Sequence, residues 1–252
     1  MPISNSADNA PDILPFEIAY ENWTLKGDRH GPASDPDVLF IHGAGSSERG
    51  RFAGLRQQLQ ARGVGSVAFD CIGHGASGGA MAQSSLASRT RQAAAVLDSQ
   101  CLAPPLALVG FSMGAHNALK LAQSRPIGAL ILIVPGIFTP EAYDVPFGPD
   151  FSDIIRRERS WAASDAWSIL EEFTGNLLVI AAENDAVIPA EIPQRLVQSA
   201  NKARSRRLLV VQGATHQHLF GLLRERPVEL DAALDMILAC IQDQPAYGAG
   251  YK

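Results

Sequence analysis

Short apolar runs alternate with longer amphipathic segments along most of this chain. Six runs are almost continuously apolar, as is typical of strands buried on both faces of a sheet, at residues 38–41, 66–69, 106–109, 129–134, 177–181 and 208–211. Between them, apolar residues recur at intervals of three and four, which predicts helices at residues 51–61, 85–99, 115–123, 190–200 and 230–241. This alternation predicts an α/β fold, in which helices flank a mainly parallel central sheet.

Two regions depart from this rhythm. Residues 16–25 alternate loosely between apolar and polar side chains and predict an edge strand or a hairpin. Residues 136–174 contain no strand-like run, but they hold several prolines and aromatic residues and a helical stretch at 151–173. We interpret them as a short helical lid inserted into one domain of residues 16–243, with flexible ends at residues 1–15 and 244–252.

Composition narrows the class of protein. Apolar residues make up 46% of the 252 residues and charged residues only 19%, so the chain can build a substantial core and lacks the signature of disorder. The formal net charge is −5 and there is no long basic run, so the sequence gives no sign of a positively charged surface that binds nucleic acid. The sequence contains no phosphate-binding or nicotinamide-binding glycine motif, so we expect no cofactor.

The sequence shows no sign of export or of a membrane span. Residues 1–15 lack the basic and apolar regions of a secretory signal, and no apolar run is long enough to cross a bilayer. Cys71, Cys101 and Cys240 are odd in number and widely spaced, which argues against a disulfide framework and against a zinc site. We therefore expect a cytoplasmic protein without a bound metal.

The strongest chemical signal is Gly110-Phe111-Ser112-Met113-Gly114, which lies between a predicted strand and a predicted helix. In this context the pattern holds the serine exposed on a sharp strand-to-helix turn, where it can act as a nucleophile. The glycines permit such a turn because they lack a Cβ atom. Ser112 is therefore our candidate nucleophile, and an ordinary strand-to-helix turn is the alternative interpretation.

A nucleophilic serine needs a base that takes its proton and an acid that orients the base. Glu183 and Asp185 both follow the predicted strand at 177–181, and His216 and His218 both follow the run at 208–211. Loops at the carboxyl ends of parallel strands meet at one edge of the sheet, so these side chains can face Ser112. The pattern alone leaves the choice within each pair open.

The motifs follow one another in an order that resembles the α/β-hydrolase superfamily. They are His42-Gly43-Ala44-Gly45, Gly73-His74-Gly75-Ala76-Ser77-Gly78, the Ser112 motif, Glu183-Asn184-Asp185 with Pro189, and Gly213-Ala214-Thr215-His216. The chain order Ser, Asp, His is the order of that superfamily. Within it, the Gly-His-Gly-Ala-Ser-Gly turn and the short insertion resemble bacterial carboxylesterases of the cinnamoyl-esterase and monoacylglycerol-lipase type.

This resemblance implies a role for each catalytic candidate. Ser112 attacks a carbonyl carbon, His216 accepts the serine proton, and Asp185 orients the imidazole. The spacing of the family's motifs favours His216 over His218, and the position of the following proline favours Asp185 over Glu183.

The resemblance also implies an oxyanion hole made by the main chain. Its expected donors are the backbone N–H groups of Ala44 and Met113. We interpret His42 and His74, which precede glycines in loops, as structural hydrogen-bonding groups. Cys71 has no motif partner for thiol chemistry, and a small buried side chain is its expected role.

These residues predict a serine hydrolase that acts on a small-molecule substrate, a small to medium carboxylic ester, through an acyl-enzyme. A thioesterase or acyltransferase with the same three residues is one alternative, and a non-catalytic small-molecule-binding protein of this fold is another. The aromatic side chains of the lid either line an apolar pocket or bury the lid against the sheet; they are Phe138, Tyr143, Phe147, Phe151, Trp161 and Trp167.

Overall fold

A single eight-stranded sheet organises the protein. The computed structural model describes residues 13–31, 38–100, 102 and 106–243. The strands are β1 (Ile13–Tyr20), β2 (Trp23–His30), β3 (Val38–Ile41), β4 (Ser66–Phe69), β5 (Leu106–Phe111), β6 (Ile127–Ile133), β7 (Asn176–Ala182) and β8 (Ser205–Val211). Their order in the sheet is β1-β2-β4-β3-β5-β6-β7-β8. The β1–β2 and β2–β4 pairs are antiparallel, and the other neighbours are parallel.

Helices cover both faces of the sheet in the described part of the chain. They are α1 (Ala53–Gln60), α2 (Leu86–Ser99), α3 (Met113–Ala122), α4 (Pro149–Ile155), α5 (Ala166–Glu172), α6 (Glu191–Ser199), α7 (Leu219–Glu225) and α8 (Pro227–Gln242). Apolar side chains of α2, α3, α5 and α6 share one core with the sheet, and those of α1, α7 and α8 share the other. α2 begins after Ser85, whose hydroxyl accepts a 3.1 Å hydrogen bond from the Ser88 N–H.

The predicted α/β fold is confirmed, and three details differ from the sequence pattern. β8 is not buried on both faces, because it is the edge strand of the sheet and most of its residues are exposed or half-buried. β1 begins at Ile13, so part of the end segment predicted at residues 1–15 is a strand. α7 was not predicted. The residues 1–12 and 244–252 and Cys101 lie outside the described residues.

The lid consists of short helical pieces rather than one helical stretch over residues 151–173. α4 and α5 are separated by a turn in which Arg159 has a φ angle of 51°, a left-handed conformation that interrupts a helix. Four of the six lid aromatics are buried, which attaches the lid to the body of the domain; they are Phe147, Phe151, Trp161 and Trp167. Phe138 and Tyr143 stay partly buried and pack against the cluster that contains Met113.

Candidate active site

Ser112 lies on the sharp turn between β5 and α3, in the middle of the sheet. Its φ and ψ angles are 52° and −117°, a backbone conformation that residues with a Cβ atom rarely adopt. Neighbouring backbone groups hold it there: the Ser112 N–H donates to Ile133 O at 2.9 Å, and its carbonyl oxygen accepts from Gly136 N and Ala115 N, each at 3.0 Å. Hydrogen bonds from the surrounding main chain thus keep Ser112, the candidate nucleophile, in its strained conformation.

The two motif glycines are required by close approach. A Cβ atom on Gly114 would lie 2.1 Å from Ile41 O and 2.6 Å from His42 O, and one on Gly110 would lie 2.5 Å from the Cα of Ala115. Any side chain at either position would therefore push α3 away from β3 or β5. The motif is consequently a packing requirement of the turn as well as a sequence pattern.

The structure brings Ser112, His216 and Asp185 together. His216 Nε2 lies 3.1 Å from Ser112 Oγ, and His216 Nδ1 lies 2.8 Å from Asp185 Oδ2. The side chains of His216 and Asp185 are only 6% and 7% exposed, whereas Ser112 is half-buried. These distances allow a proton to pass from the serine hydroxyl to the imidazole while the carboxylate fixes the tautomer.

Asp185 is held as an anion. Burial by itself would raise the pKa of its carboxyl, but hydrogen bonds from His216 and from the backbone N–H groups of Ile188 and Val187 outweigh it, so the pKa is lowered. The Val187 and Ile188 amides lie 2.8 and 2.9 Å from Oδ1, which leaves Oδ2 for the imidazole.

Glu183 and His218, the alternative acid and base, have other partners. Glu183 Oε2 accepts a 2.7 Å hydrogen bond from the backbone N–H of Gly213, in the loop that carries His216. His218 is exposed, and its Nε2 lies 3.9 Å from a carboxylate oxygen of Glu225. The geometry therefore favours Asp185 as the acid that orients the imidazole and His216 as the base.

The two expected oxyanion donors lie at the start of α3 and in the loop after β3. Met113 is the first residue of α3, where backbone N–H groups have no acceptor within the helix and the helix dipole favours negative charge. Ala44 follows His42-Gly43 after β3, and none of the hydrogen bonds within the described part of the chain uses its N–H. Both amides are thus free to donate to a negatively charged oxygen.

The other polar residues near this edge have structural partners. Cys71 N–H donates to His42 Nε2 at 3.0 Å, and the rings of His42 and His74 lie 4.8 Å apart. Burial, followed by the charge of Arg89, lowers the pKa of His74 to about 4. Within the described residues, no group of three or more His, Cys, Asp or Glu side chains is arranged to hold a metal ion.

One contact of His216, and an arginine beside it, were not anticipated from the sequence. The Phe111 ring lies 5.7 Å from the imidazole, centroid to centroid, and the Arg51 guanidinium lies 4.4 Å above the Phe111 ring. Arg51 also donates to Gln217 Oε1 at 2.9 Å. The only available signal was Phe111 inside the serine motif, since nothing in the pattern around Arg51 distinguishes it from a surface arginine.

The fold is that of the alpha/beta hydrolases, and the chain belongs to that family. The alpha/beta hydrolase family model matches residues 38–177. An uncharacterised protein of Mycobacterium tuberculosis is 32% identical over 190 residues, which cover 73% of this chain and 63% of that protein. The chain thus spans less than two thirds of the length of the curated relatives it matches.

Solved structures show the same fold at low identity. Est1E from Butyrivibrio proteoclasticus, with ferulic acid bound, is 20% identical with a TM-score of 0.68, covering 90% of this chain and 99% of that chain. The 2-hydroxy-6-oxo-6-phenylhexa-2,4-dienoate hydrolase of Rhodococcus sp. strain RHA1 is 16% identical with a TM-score of 0.69, covering 92% and 100%. None of the described helices is long and apolar enough to cross a membrane.

Proposed function

We propose that this protein is a serine hydrolase that cleaves a small to medium carboxylic ester through an acyl-enzyme intermediate. The observation that carries the proposal is the continuous line of hydrogen-bonding distances from Ser112 Oγ through His216 to Asp185. A buried Asp, a His between two partners and a half-buried Ser on a strained turn form the arrangement that serine hydrolysis uses.

The first half of the reaction forms a bond between Ser112 Oγ and the carbonyl carbon of the ester. His216 Nε2 takes the hydroxyl proton, and the carbonyl oxygen becomes an oxyanion that accepts hydrogen bonds from the N–H groups of Ala44 and Met113. When the intermediate collapses, the bond to the alcohol oxygen breaks and His216 returns the proton to the leaving alcohol. The product is an acyl ester of Ser112.

The second half repeats these steps with water. His216 removes a proton from water as the water oxygen attacks the acyl carbon, and the proton then passes to Ser112 Oγ as the carboxylic acid leaves. Asp185 keeps its charge throughout and stabilises the imidazolium that forms in each half. The serine is regenerated, so the cycle needs no metal or cofactor.

The size of the proposed substrate rests on side chains of the lid and of the segment before α2. Met81, Phe138 and Tyr143 are partly buried around the Met113 cluster, next to the proposed oxyanion donors, and we assign them to the acyl site. Ferulic acid, a small aromatic carboxylic acid, is bound to the structural neighbour Est1E, which supports an acyl group of that size. Cys71 and Cys240 are both free and buried, which suits a reducing compartment, and we propose a cytoplasmic location.

Initial hydrolysis rates over a p-nitrophenyl ester series from acetate to palmitate test the proposal. Ser112→Ala should lower kcat by about 10⁴-fold or more, because it removes the attacking oxygen. Ser168→Ala, which changes an exposed serine on the lid helix α5, is the matched control and should leave the rates unchanged. A rate maximum at one acyl chain length would show how long an acyl group the site accepts.

Other outcomes point to the alternatives. Ser112-dependent cleavage of acyl thioesters much faster than of oxygen esters would favour a thioesterase, and acyl transfer to an added alcohol at the expense of hydrolysis would favour an acyltransferase. If none of these substrates showed Ser112-dependent turnover, the proposal that the protein is an enzyme would be contradicted. That result would favour a small-molecule-binding protein.

A further inference from the structure

Arg89 is a buried cation without an acidic partner. It lies in the first turn of α2, its relative exposure is 0%, and no ion pair of the described residues includes it. Burial of an unpaired guanidinium is costly, and a neutral side chain of similar length would avoid the cost. The contacts of the guanidinium must therefore offset the cost of burying it.

The guanidinium is aimed at the loop after β3. Nη2 donates to the carbonyl oxygens of His42 and Gly43, the latter at 3.1 Å, and Nε donates to Asn117 Oδ1 at 3.3 Å. Asn117 is itself fixed by donating to Leu86 O at 2.9 Å and to Thr90 Oγ1 at 3.0 Å. Arg89 is thus held between α3 and the His42-Gly43 main chain.

His42 adds a second hydrogen bond to the same carbonyl. Because the Cys71 N–H donates to His42 Nε2, the imidazole proton is on Nδ1, which lies 2.7 Å from Gly43 O. Burial, and after it the charge of Arg89, holds the pKa of His42 well below its usual value, in keeping with a neutral ring. Gly43 O therefore accepts from a buried cation and from a buried neutral histidine.

Gly43 C=O and Ala44 N–H are the two ends of one peptide group. We propose that Arg89 is a positioning residue for the oxyanion hole: by hydrogen bonding to Gly43 O it orients and polarises the Gly43–Ala44 peptide, so that the Ala44 N–H donates more strongly to the oxyanion. This inference rests on the proposed serine hydrolase function.

Two physical effects act in the same direction. Hydrogen bonding at a carbonyl oxygen increases the dipole of its peptide group and strengthens the N–H at the other end. The guanidinium charge, set in the low dielectric of the interior behind the loop, also favours the negative transition state over the neutral ester. Both effects are larger for the transition state than for the bound substrate, so they act on kcat rather than on KM.

The test compares Arg89→Met with the wild type on the best p-nitrophenyl ester. Arg89→Met should lower kcat by about 10- to 100-fold, less than the loss of a direct oxyanion donor, with KM changed by less than about threefold. The inhibition constant of an alkyl boronic acid, which forms a tetrahedral anion on Ser112, should rise by a similar factor. Arg89→Lys, which keeps a charge and a donor, should recover part of both losses.

Arg91→Met is the matched control, since Arg91 is an exposed arginine on the same helix, and it should behave as the wild type. A folded Arg89→Met with wild-type kcat and wild-type boronic acid inhibition would overturn the inference. So would a rise in KM alone, or equal losses in substrate and boronic acid binding, because these indicate a general loss of structure.

If Arg89→Met does not fold, Arg89→Gln replaces it. Its amide reaches only about as far as Arg89 Nε, where it can donate to Asn117 Oδ1, and it stops short of the His42 and Gly43 carbonyls. Because it also carries no charge, the same paired loss in kcat and in boronic acid affinity is expected. The wild-type comparison with Ser112→Ala separates the two proposals: without Ser112-dependent turnover the hydrolase itself is wrong, whereas with it a normal Arg89→Gln overturns only the role of Arg89.

Discussion

The carboxylate of Glu183 accepts a 2.7 Å hydrogen bond from the backbone N–H of Gly213. Asp185, two residues further along, binds the imidazole of His216 in the same loop at 2.8 Å. One acid therefore holds the main chain of the His216 loop, and the other holds the imidazole. The loops are also joined directly, because the Asn184 N–H donates to Ala214 O at 2.8 Å.

This division of labour predicts different outcomes for two isosteric substitutions. Asp185→Asn should leave a folded protein with kcat lower by about 10⁴-fold, because an amide facing Nδ1 favours the wrong tautomer of His216. Its Oδ1 still accepts from the Val187 and Ile188 amides, so the loop is preserved. Turnover and circular dichroism of the purified variant measure both effects.

Glu183→Gln is the control for Asp185→Asn. Its side-chain carbonyl can still accept from the Gly213 N–H, so kcat should fall by less than about tenfold. If Glu183→Gln lost as much activity as Asp185→Asn, or if Asp185→Asn kept near-normal turnover, the assignment of the acid would be wrong.

The strained backbone of Ser112 predicts that a variant without a Cβ atom at this position is more stable than one that keeps it. At a φ of 52° and a ψ of −117°, glycine avoids the steric cost that any side chain imposes, so Ser112→Gly should be about 1 kcal/mol more stable to urea unfolding than Ser112→Ala. Both variants should be inactive. Equal stability would mean that the turn stores no strain at this residue.

The centre of the sheet was predictable because burial on both faces leaves a direct mark in the sequence. β3 and β4 match the predicted runs at both ends, since each is a short apolar run between polar or glycine-containing loops. β1, β2 and β8 were harder, because strands at or near a sheet edge mix exposed and buried positions and start without a clear apolar boundary.

The candidate site was predictable to the level of loops rather than of side chains. Motif order placed Ser112, the acid and the base at the same edge, and the motif spacing of the family favoured His216 over His218. The residue pattern by itself left that choice open, because it depends on how one loop turns. Arg89 was missed for a different reason. An arginine on an amphipathic helix normally points to solvent, and only the packing of α2 against the loop after β3 shows that this one is buried.

Two glycine-to-alanine substitutions should have opposite effects on stability. Gly114→Ala places a Cβ atom 2.1 Å from Ile41 O and should destabilise the domain by about 3 kcal/mol or more, because backbone on both sides must move. Gly54→Ala, in helix α1, meets no atom within 4 Å and should stabilise by about 0.5 to 1 kcal/mol. Urea unfolding measures both. A stable, active Gly114→Ala would contradict the close approach of α3 to β3.

His116 predicts how stability depends on pH. Its ring is 1% exposed beside Phe138 and Tyr143, and burial lowers its pKa to about 4, while Asp165 raises and Lys120 lowers it by smaller amounts.

Between about pH 4 and the usual histidine pKa of 6.5, the unfolded chain binds a proton at His116 that the folded chain does not. Stability therefore falls as the pH is lowered through this window. Replacement by leucine removes the contribution of His116 to this pH dependence. From pH 7 to pH 4.5, His116→Leu should therefore lose about 2 kcal/mol less free energy of unfolding than the wild type. If His116→Leu lost as much stability on acidification as the wild type does, His116 would be protonated in the folded protein, and its neutral packing against the lid would be wrong.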